Sequence, residues 1–591
     1  MKHPKYLAGA LVACAVVGVS ARQPSTPRTV AEFFDAFTTE WMHANPRNLA
    51  MSMRYFSGPE QDVVDQQVSL DTPEFWHSMA LLAQKGLREL ATYDPARMTA
   101  DERVSADLLR WHLVGAIEYD KHTNLVFPLE QYDGANVNLT TTLTVVHPLN
   151  SEKDAVHYIA RLGLVGSRMD QAVALAAARA ANHVIPPRFI LRATITQMEQ
   201  FVATPPKDNP FVAAFDDRLA ASKAVSDARR AELRAEAEKI VAAQIYPSWR
   251  RGIALLTSLV SRSSEDAGLW QFKGGAEVYA YSLRRLSSGL TPDQVHAIGL
   301  RRVDEIEAQM DRLLRQLGRT DGSVTDRVAQ LKKEQAYPLT EDGRAQLLAD
   351  AEAMLRDALK RALPQFDRIP RAPLEVRPIP RFREANATTG YGLPAPDGSR
   401  PGVVLIPLRP ERMTKFGLRS TMYHEGVPGH HFQAGLEIEN TALPRFRRMF
   451  AFGNIPAFNE GWALYAERLA AESGWYDDDP IGRLGQLDSE LFRARRLVVD
   501  TGIHAKHWTR QQAIDYGIEP SEVERYVVTR GQACAYMIGE LKLLELRDKA
   551  KKALGDRFDI RAYHNLVLGV GTVPLDQLEG IVDAYIADAQ R

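Results

Sequence analysis

The stretch Tyr423-His424-Glu425-Gly426-Val427-Pro428-Gly429-His430-His431 gathers three imidazoles and a carboxylate into the eight residues from His424 to His431. These side chains suit a hydrolytic metal centre. Zinc in hydrolases takes three protein ligands from His and carboxylate and keeps a fourth position for water. Bound zinc brings the pKa of that water near neutrality, and a neighbouring Glu can take its proton during attack on a carbonyl. The common helical arrangement is His-Glu-x-x-His, in which i and i+4 share a face. Here Pro428 occupies position i+4. On an ideal helix His430 lies about 120° round from His424, and His431 lies about 10 Å further along the axis. Pro428, however, has no N–H for the His424 carbonyl, and its ring would clash there. A kink or bulge inside the motif is expected. It would bring a later His, His430 or His431, onto the metal face.

A second stretch, Asn459-Glu460-Gly461-Trp462-Ala463-Leu464-Tyr465-Ala466-Glu467, follows about thirty residues later. Glu460 is either a third ligand or a carboxylate serving the start of its helix. Further on, Asp500 and His504 are four residues apart and face one way on a helix. A His with a carboxylate partner can donate a proton or stabilise a transition state; the alternative is a structural pair.

His424-Glu425-x-x-Pro428-Gly429-His430-His431 resembles the His-Glu-x-x-Pro-Gly-His-His pattern of the bacterial DUF885 family. The family in turn resembles the gluzincin metallopeptidases, among them angiotensin-converting enzyme, thimet oligopeptidase and dipeptidyl peptidase III. The resemblance covers most of the chain and is strongest over residues 391–575. It implies zinc held by His424, His430 and Glu460, because the second His ligand of the relatives commonly follows a Gly and the third ligand is a Glu on a following helix. His431 stays open as the alternative ligand; otherwise it contacts substrate. Glu425 is implied as the general base. The run Gly531-Gln532-Ala533-Cys534-Ala535-Tyr536-Met537-Ile538-Gly539 nominates Tyr536 as the hydrogen-bond donor to the oxyanion, with His504 as a further catalytic candidate. A small sheet beside the metal helix would pair with the substrate backbone, which makes Tyr391 and Arg400 candidate substrate contacts. Taken alone, the residues around Asp397-Gly398 read as an ordinary hairpin turn.

The elements that must position these groups are mostly helical. Apolar residues such as Phe34, Phe37 and Trp41 recur at three- and four-residue spacing, the signature of an amphipathic helix. Residues 414–437 are expected to form one metal helix, 456–473 the second, and 487–507 a third that carries His504. Residues 124–150, rich in Asn, Thr and Pro, read as irregular, and 216–260 as a long helical stretch bent near Pro247. Residues 374–380 and 402–407 read as short β runs. The fold class is therefore mostly α. The resemblance adds a large metallopeptidase-like body with a deep central cleft and a small sheet next to the metal helix.

The chain has 591 residues, 45% hydrophobic and 25% charged, with a formal net charge of -1. That balance argues against nucleic acid or an anionic membrane recognised by bulk charge. Residues 1–21 read as a signal peptide: Lys2 and Lys5 precede an apolar run, and Val19-Ser20-Ala21 offers small residues for cleavage. The alternative is a lipoprotein anchored at Cys14, since Leu11-Val12-Ala13-Cys14 fits a lipobox. No other apolar run reaches the ~20 residues that a membrane span needs. Residues 22–591 are expected to form a single catalytic domain. Cys534 has no second cysteine in a processed chain and reads as a buried small side chain. The expected protein is a periplasmic or secreted zinc metallopeptidase acting on short peptides. Its rivals are a zinc-dependent hydrolase of another amide or ester, and a peptide-binding protein without turnover. Glu425 argues against the last, since a binding module needs no base beside the ligands.

Overall fold

Helix starts are written locally in this chain. A Thr or Ser stands three residues ahead of Glu, Gln or Asp at Thr29, Thr99, Thr291, Ser323 and Thr509, and at each the two side chains close a reciprocal capping box. Two otherwise orphaned N–H groups are thereby satisfied per helix. The structure, a computed structural model, describes residues 29–45, 54–69, 71–286, 289–379, 384, 388–396, 398 and 400–591. The expected signal segment, with Cys14, lies outside the described residues.

The architecture is mostly α with one small sheet. In the sheet, β1 (Leu374–Pro378) runs parallel to the central β3 (Gly402–Ile406), and β2 (Gly390–Gly392) pairs antiparallel on the other side. Tyr391 stands opposite Val404. The sheet therefore combines the expected hairpin, β2 to β3, with a parallel edge strand.

Burial couples the beginning of the described chain to the motif region. Phe33, Phe34, Phe37 and Trp41 line one face of the helix Val30–Ala44. Phe34 meets Phe446 with ring centroids 5.5 Å apart, and Trp41 meets Phe452 at 5.0 Å. The same buried cluster takes in Val404 and Ile406 of the sheet and Met422, Tyr423, Phe432, Phe458 and Trp462 around the motif. Truncating one such aromatic typically costs about 3–5 kcal/mol, so the site is built into the main core rather than onto a loop. A second cluster, including Tyr158, Phe215 and Trp249, fills the helices of residues 129–259. A third lies beneath the long helix Pro480–Ala505.

The helix Pro456–Glu472 crosses the helix Ala535–Leu554 with backbones in contact. A Cβ on Gly461 would fall 2.5 Å from the Cα of Gly539, and one on Gly539 would fall 1.9 Å from the Ala457 carbonyl oxygen. Only two glycines allow that approach.

Several expectations need correction. Residues 414–437 are two helices, Leu418–Glu425 and His430–Glu439, and not one bulged helix. Residues 124–150 contain a helix, Ala135–Thr141, that continues into a π turn at Thr142–Val146. The stretch 216–260 breaks at Lys223, in a left-handed conformation, and then widens into a π turn at Val241–Ile245. The widening directly precedes Pro247, whose missing N–H cannot close an α turn. The helix that carries His504 starts earlier than expected, at Pro480, where the Asp479 carboxylate accepts from the Gly482 N–H at 2.7 Å.

Candidate metal centre

The motif folds as a helix end, a tight turn and a new helix. Leu418–Glu425 closes with the Gly426 N–H donating to the Met422 carbonyl at 2.9 Å. The Val427–Pro428 peptide is cis. The Gly429 N–H then donates back to the Tyr423 carbonyl at 3.0 Å. A Cβ on Gly429 would lie 1.9 Å from the His424 carbonyl oxygen, so this position admits only glycine. The Trp462 indole N–H donates to the Pro428 carbonyl at 2.9 Å and ties the turn to the helix that carries Glu460. His430 opens the next helix and so points back toward His424.

The result is a triangle of donors. His424 Nε2 stands 3.4 Å and His430 Nε2 3.3 Å from Glu460 Oε2, and the three donor atoms lie within 4.8 Å of one another. Tetrahedral zinc with bonds of about 2.0–2.1 Å separates its ligand atoms by about 3.3 Å. A charge-assisted hydrogen bond would be shorter, about 2.7–2.9 Å. The spacing therefore fits ligands around an ion better than a direct ion pair, and the donor set of two imidazoles and a carboxylate suits zinc.

Behind His424 lies a residue that sequence reading quoted without assigning. Glu467 Oε1 is 2.8 Å from His424 Nδ1, and its other oxygen accepts from the Ser420 hydroxyl. Glu467 is wholly buried. It accepts a hydrogen bond from Nδ1–H and so turns Nε2 toward the triangle, as outer carboxylates do for metal-bound histidines. The signal for it was present: Glu467 is two turns beyond Glu460 and shares its helix face.

The electrostatics follow from burial and charge. Burial alone would lower the His424 pKa, but Glu460 and Glu467 reverse this and raise it to about 9. Burial pushes the Glu460 carboxyl up, and the His430 and His424 imidazoles outweigh it and hold the group well below the carboxylate range. Glu425 is raised, chiefly by burial. It is only 8% exposed and, among the described residues, has no hydrogen-bond partner. It stands beside the donor triangle without belonging to it.

The remaining candidates divide. Tyr536 faces the centre: its ring is 6.3 Å from the His424 ring and nearly parallel at 17°, and the Arg496 guanidinium carbon lies 4.6 Å over it. His431 is not in the donor group. Its Nδ1 is 2.9 Å from the Tyr391 hydroxyl and it bonds the Ala372 backbone, while burial lowers its pKa to about 4. A neutral ring in that setting can accept from the Tyr391 hydroxyl at Nδ1. Tyr391 thus has a protein partner for its hydroxyl and braces the sheet against the metal helices. Arg400 is exposed and donates to the Leu393 carbonyl at 3.3 and 3.4 Å, which closes the turn between β2 and β3.

His504 must be reassigned. It is 1% exposed, and both ring nitrogens are committed to the backbone. The Leu269 N–H donates to Nδ1 at 3.2 Å, and Nε2 donates to the Tyr526 carbonyl at 2.9 Å. Asp500 does not bond it. That carboxylate accepts from the Tyr279 hydroxyl at 2.6 Å and from the Gly531 N–H at 3.1 Å. The shared helix face was legible, but remote segments supply the partners, and the ring proton of His504 is held by the Tyr526 carbonyl.

The family model described as "Bacterial protein of unknown function (DUF885)" matches residues 53–582. The chain belongs to this family. No curated protein matches it. The crystal structure of the "putative lipoprotein" from Colwellia psychrerythraea is similar to this DUF885 chain at 30% identity and a TM-score of 0.87, covering 95% of this chain and 100% of that one. A second such protein, from Shewanella oneidensis, shares the fold at 17% identity and a TM-score of 0.68, covering 94% and 99% of the two chains. Among the described residues of the DUF885 chain, no helix is long and apolar enough to cross a membrane.

The Glu467 arrangement has a measurable expectation. In Glu467→Gln the amide cannot take up the imidazole charge, so zinc affinity should fall about 10–100-fold, the usual effect of an outer-shell partner. Competition with a chromophoric chelator measures it; unchanged affinity would remove Glu467 from the site.

Proposed function

We propose that this DUF885 chain is an exported zinc metallopeptidase acting on short peptides. The observation that carries the reading is the open donor triangle of His424, His430 and Glu460 with the buried, unpartnered Glu425 carboxylate beside it. A bound zinc ion would polarise the scissile carbonyl and acidify a water. Glu425, its carboxyl raised by burial, takes the water proton and passes it to the leaving amine. Tyr536 offers its hydroxyl to the carbonyl oxygen as negative charge develops there. Glu467 holds His424 in the tautomer that keeps Nε2 free, and Gly429 and Trp462 fix the turn that brings His430 round.

The resemblance to gluzincin peptidases supports the same assignment. Export is supported by the signal-like first 21 residues and by the lipoprotein names of the two structural relatives; Cys14 is the anchor if the leader is of the lipoprotein type. A peptide-library digest read by mass spectrometry, with and without chelator, tests the reading. Chelator-sensitive peptide cleavage is expected. Turnover of an ester panel with every peptide intact would make the centre a non-peptide hydrolase.

Tyr536→Phe removes one oxyanion donor and leaves the ring on His424 and Arg496. Turnover should drop about 10²–10³-fold with metal content intact. Full activity in the variant would return Tyr536 to packing alone.

A further inference from the structure

The helix Pro480–Ala505 carries Arg493, Arg495 and Arg496 within about one turn. Arg495 pairs with Glu307 at 2.7 Å, and Arg496 pairs with Glu522 at 3.0 Å. Arg493 has no carboxylate partner among the described residues. Its Nη1 donates to the Ser489 hydroxyl at 2.6 Å and to the Ser489 carbonyl at 3.2 Å. Its Nε is buried with no acceptor, and its Nη2 makes no hydrogen bond among the described residues. A partly buried cation without a counter-charge is unfavourable, and the neighbouring arginines show that the same helix can supply one.

Arg493 is also at the centre. Its guanidinium carbon lies 5.8 Å from the middle of the Tyr536 ring. The same guanidinium is one of the positive charges that act on Glu425 and Glu467, which agrees with its place beside Tyr536. Neither carboxylate is within ion-pair distance of it. The planar fork of an arginine matches a carboxylate through two parallel N–H donors, which a lysine cannot reproduce.

We propose that Arg493 anchors a substrate carboxylate close to the scissile bond, so that the preferred peptides carry either a free C-terminal α-carboxylate or an acidic side chain at that place. The proposal rests on the peptidase reading above. It makes Arg493 a specificity residue for the substrate's negative end, while Glu425 and Tyr536 act on the carbonyl.

Three matched peptides test it on the zinc-loaded wild-type protein: a neutral peptide with a free C-terminus, the same peptide as its C-terminal amide, and that amide with Asp as its last residue. At least one carboxylate-bearing peptide should show a KM about 10–100-fold below that of the neutral amide, the scale of a hydrogen bond to a charged group. Preference for the free acid alone identifies the α-carboxylate, and preference for the Asp amide alone identifies the side chain. Arg493→Gln should erase the difference, and Arg493→Lys should restore part of it. Equal KM for all three peptides on the wild type would overturn the proposal while leaving the peptidase reading intact. If no peptide is cleaved, the peptidase reading fails instead. Calorimetry on the metal-free protein then decides the anchor alone: the free acid or the Asp amide should bind at least ten times more tightly than the neutral amide, and equal binding of all three overturns it.

Discussion

Replacing Glu425 with glutamine should leave about one zinc ion bound per chain and lower peptide turnover by about 10³–10⁴-fold, the upper range for loss of a general base. The two side chains have nearly the same size, and the carboxylate makes no hydrogen bond that the amide would break among the described residues. Burial already raises this carboxyl, so a neutral amide at the same place carries no new desolvation cost. The fold and the donor triangle should therefore be unaffected, and the loss should appear in turnover with KM little changed. Metal analysis alongside single-turnover kinetics checks both halves. Loss of zinc in the variant would show that Glu425 is a ligand and would leave the centre without a base.

His430→Ala should empty the site at micromolar zinc, whereas His431→Ala should keep the ion. His430 Nε2 is 3.3 Å from the Glu460 oxygen, the ligand spacing expected around zinc. His431 engages the Tyr391 hydroxyl through Nδ1 and lies outside the donor group. Removing it leaves the half-buried Tyr391 hydroxyl without its partner, a cost of about 1–3 kcal/mol. The His431 variant should thus lose thermal stability and retain metal, and the His430 variant should show the reverse. A zinc titration paired with melting curves separates them, and an empty His431 variant would falsify the ligand assignment.

How far the sequence alone reaches can be judged from particular residues. The residue types marked a cluster of possible ligands around His424 and left His430 and His431 open; the family resemblance singled out His430 and Glu460, which the structure brings together with His424. The path between them was harder. Pro428 announced a disturbance, but whether the chain bulges within one helix or stops and restarts depends on contacts made after folding. Gly429 sits against the His424 carbonyl, and Trp462 reaches the Pro428 carbonyl from another helix. Neither contact is written in local periodicity. His504 shows the opposite failure. Its i, i+4 relation to Asp500 is real, yet Leu269, Tyr526, Tyr279 and Gly531 take the hydrogen bonds instead. Glu467 and Arg493 went unassigned because a buried carboxylate and an arginine lacking its counter-ion become conspicuous only when their neighbours are known.

Gly461 and Gly539 have a consequence for tolerance to change. Each directly follows, or nearly follows, a chemical group: Glu460 is one residue before Gly461, and Tyr536 is three before Gly539. Because the two backbones touch there, the missing side chains act as the gauge that sets how far the Glu460 carboxylate stands from the Tyr536 phenol. A single added methyl at either glycine would wedge the helices apart by a fraction of an ångström to about an ångström, and a misplacement of about 1 Å remote from the chemistry can cost about 10²-fold in rate. On the proposed peptidase reading, alanine at position 539 should therefore slow turnover without removing a single functional atom, and a compensating trim at Ala457, whose carbonyl it strikes, could not relieve it, because the obstacle is main chain.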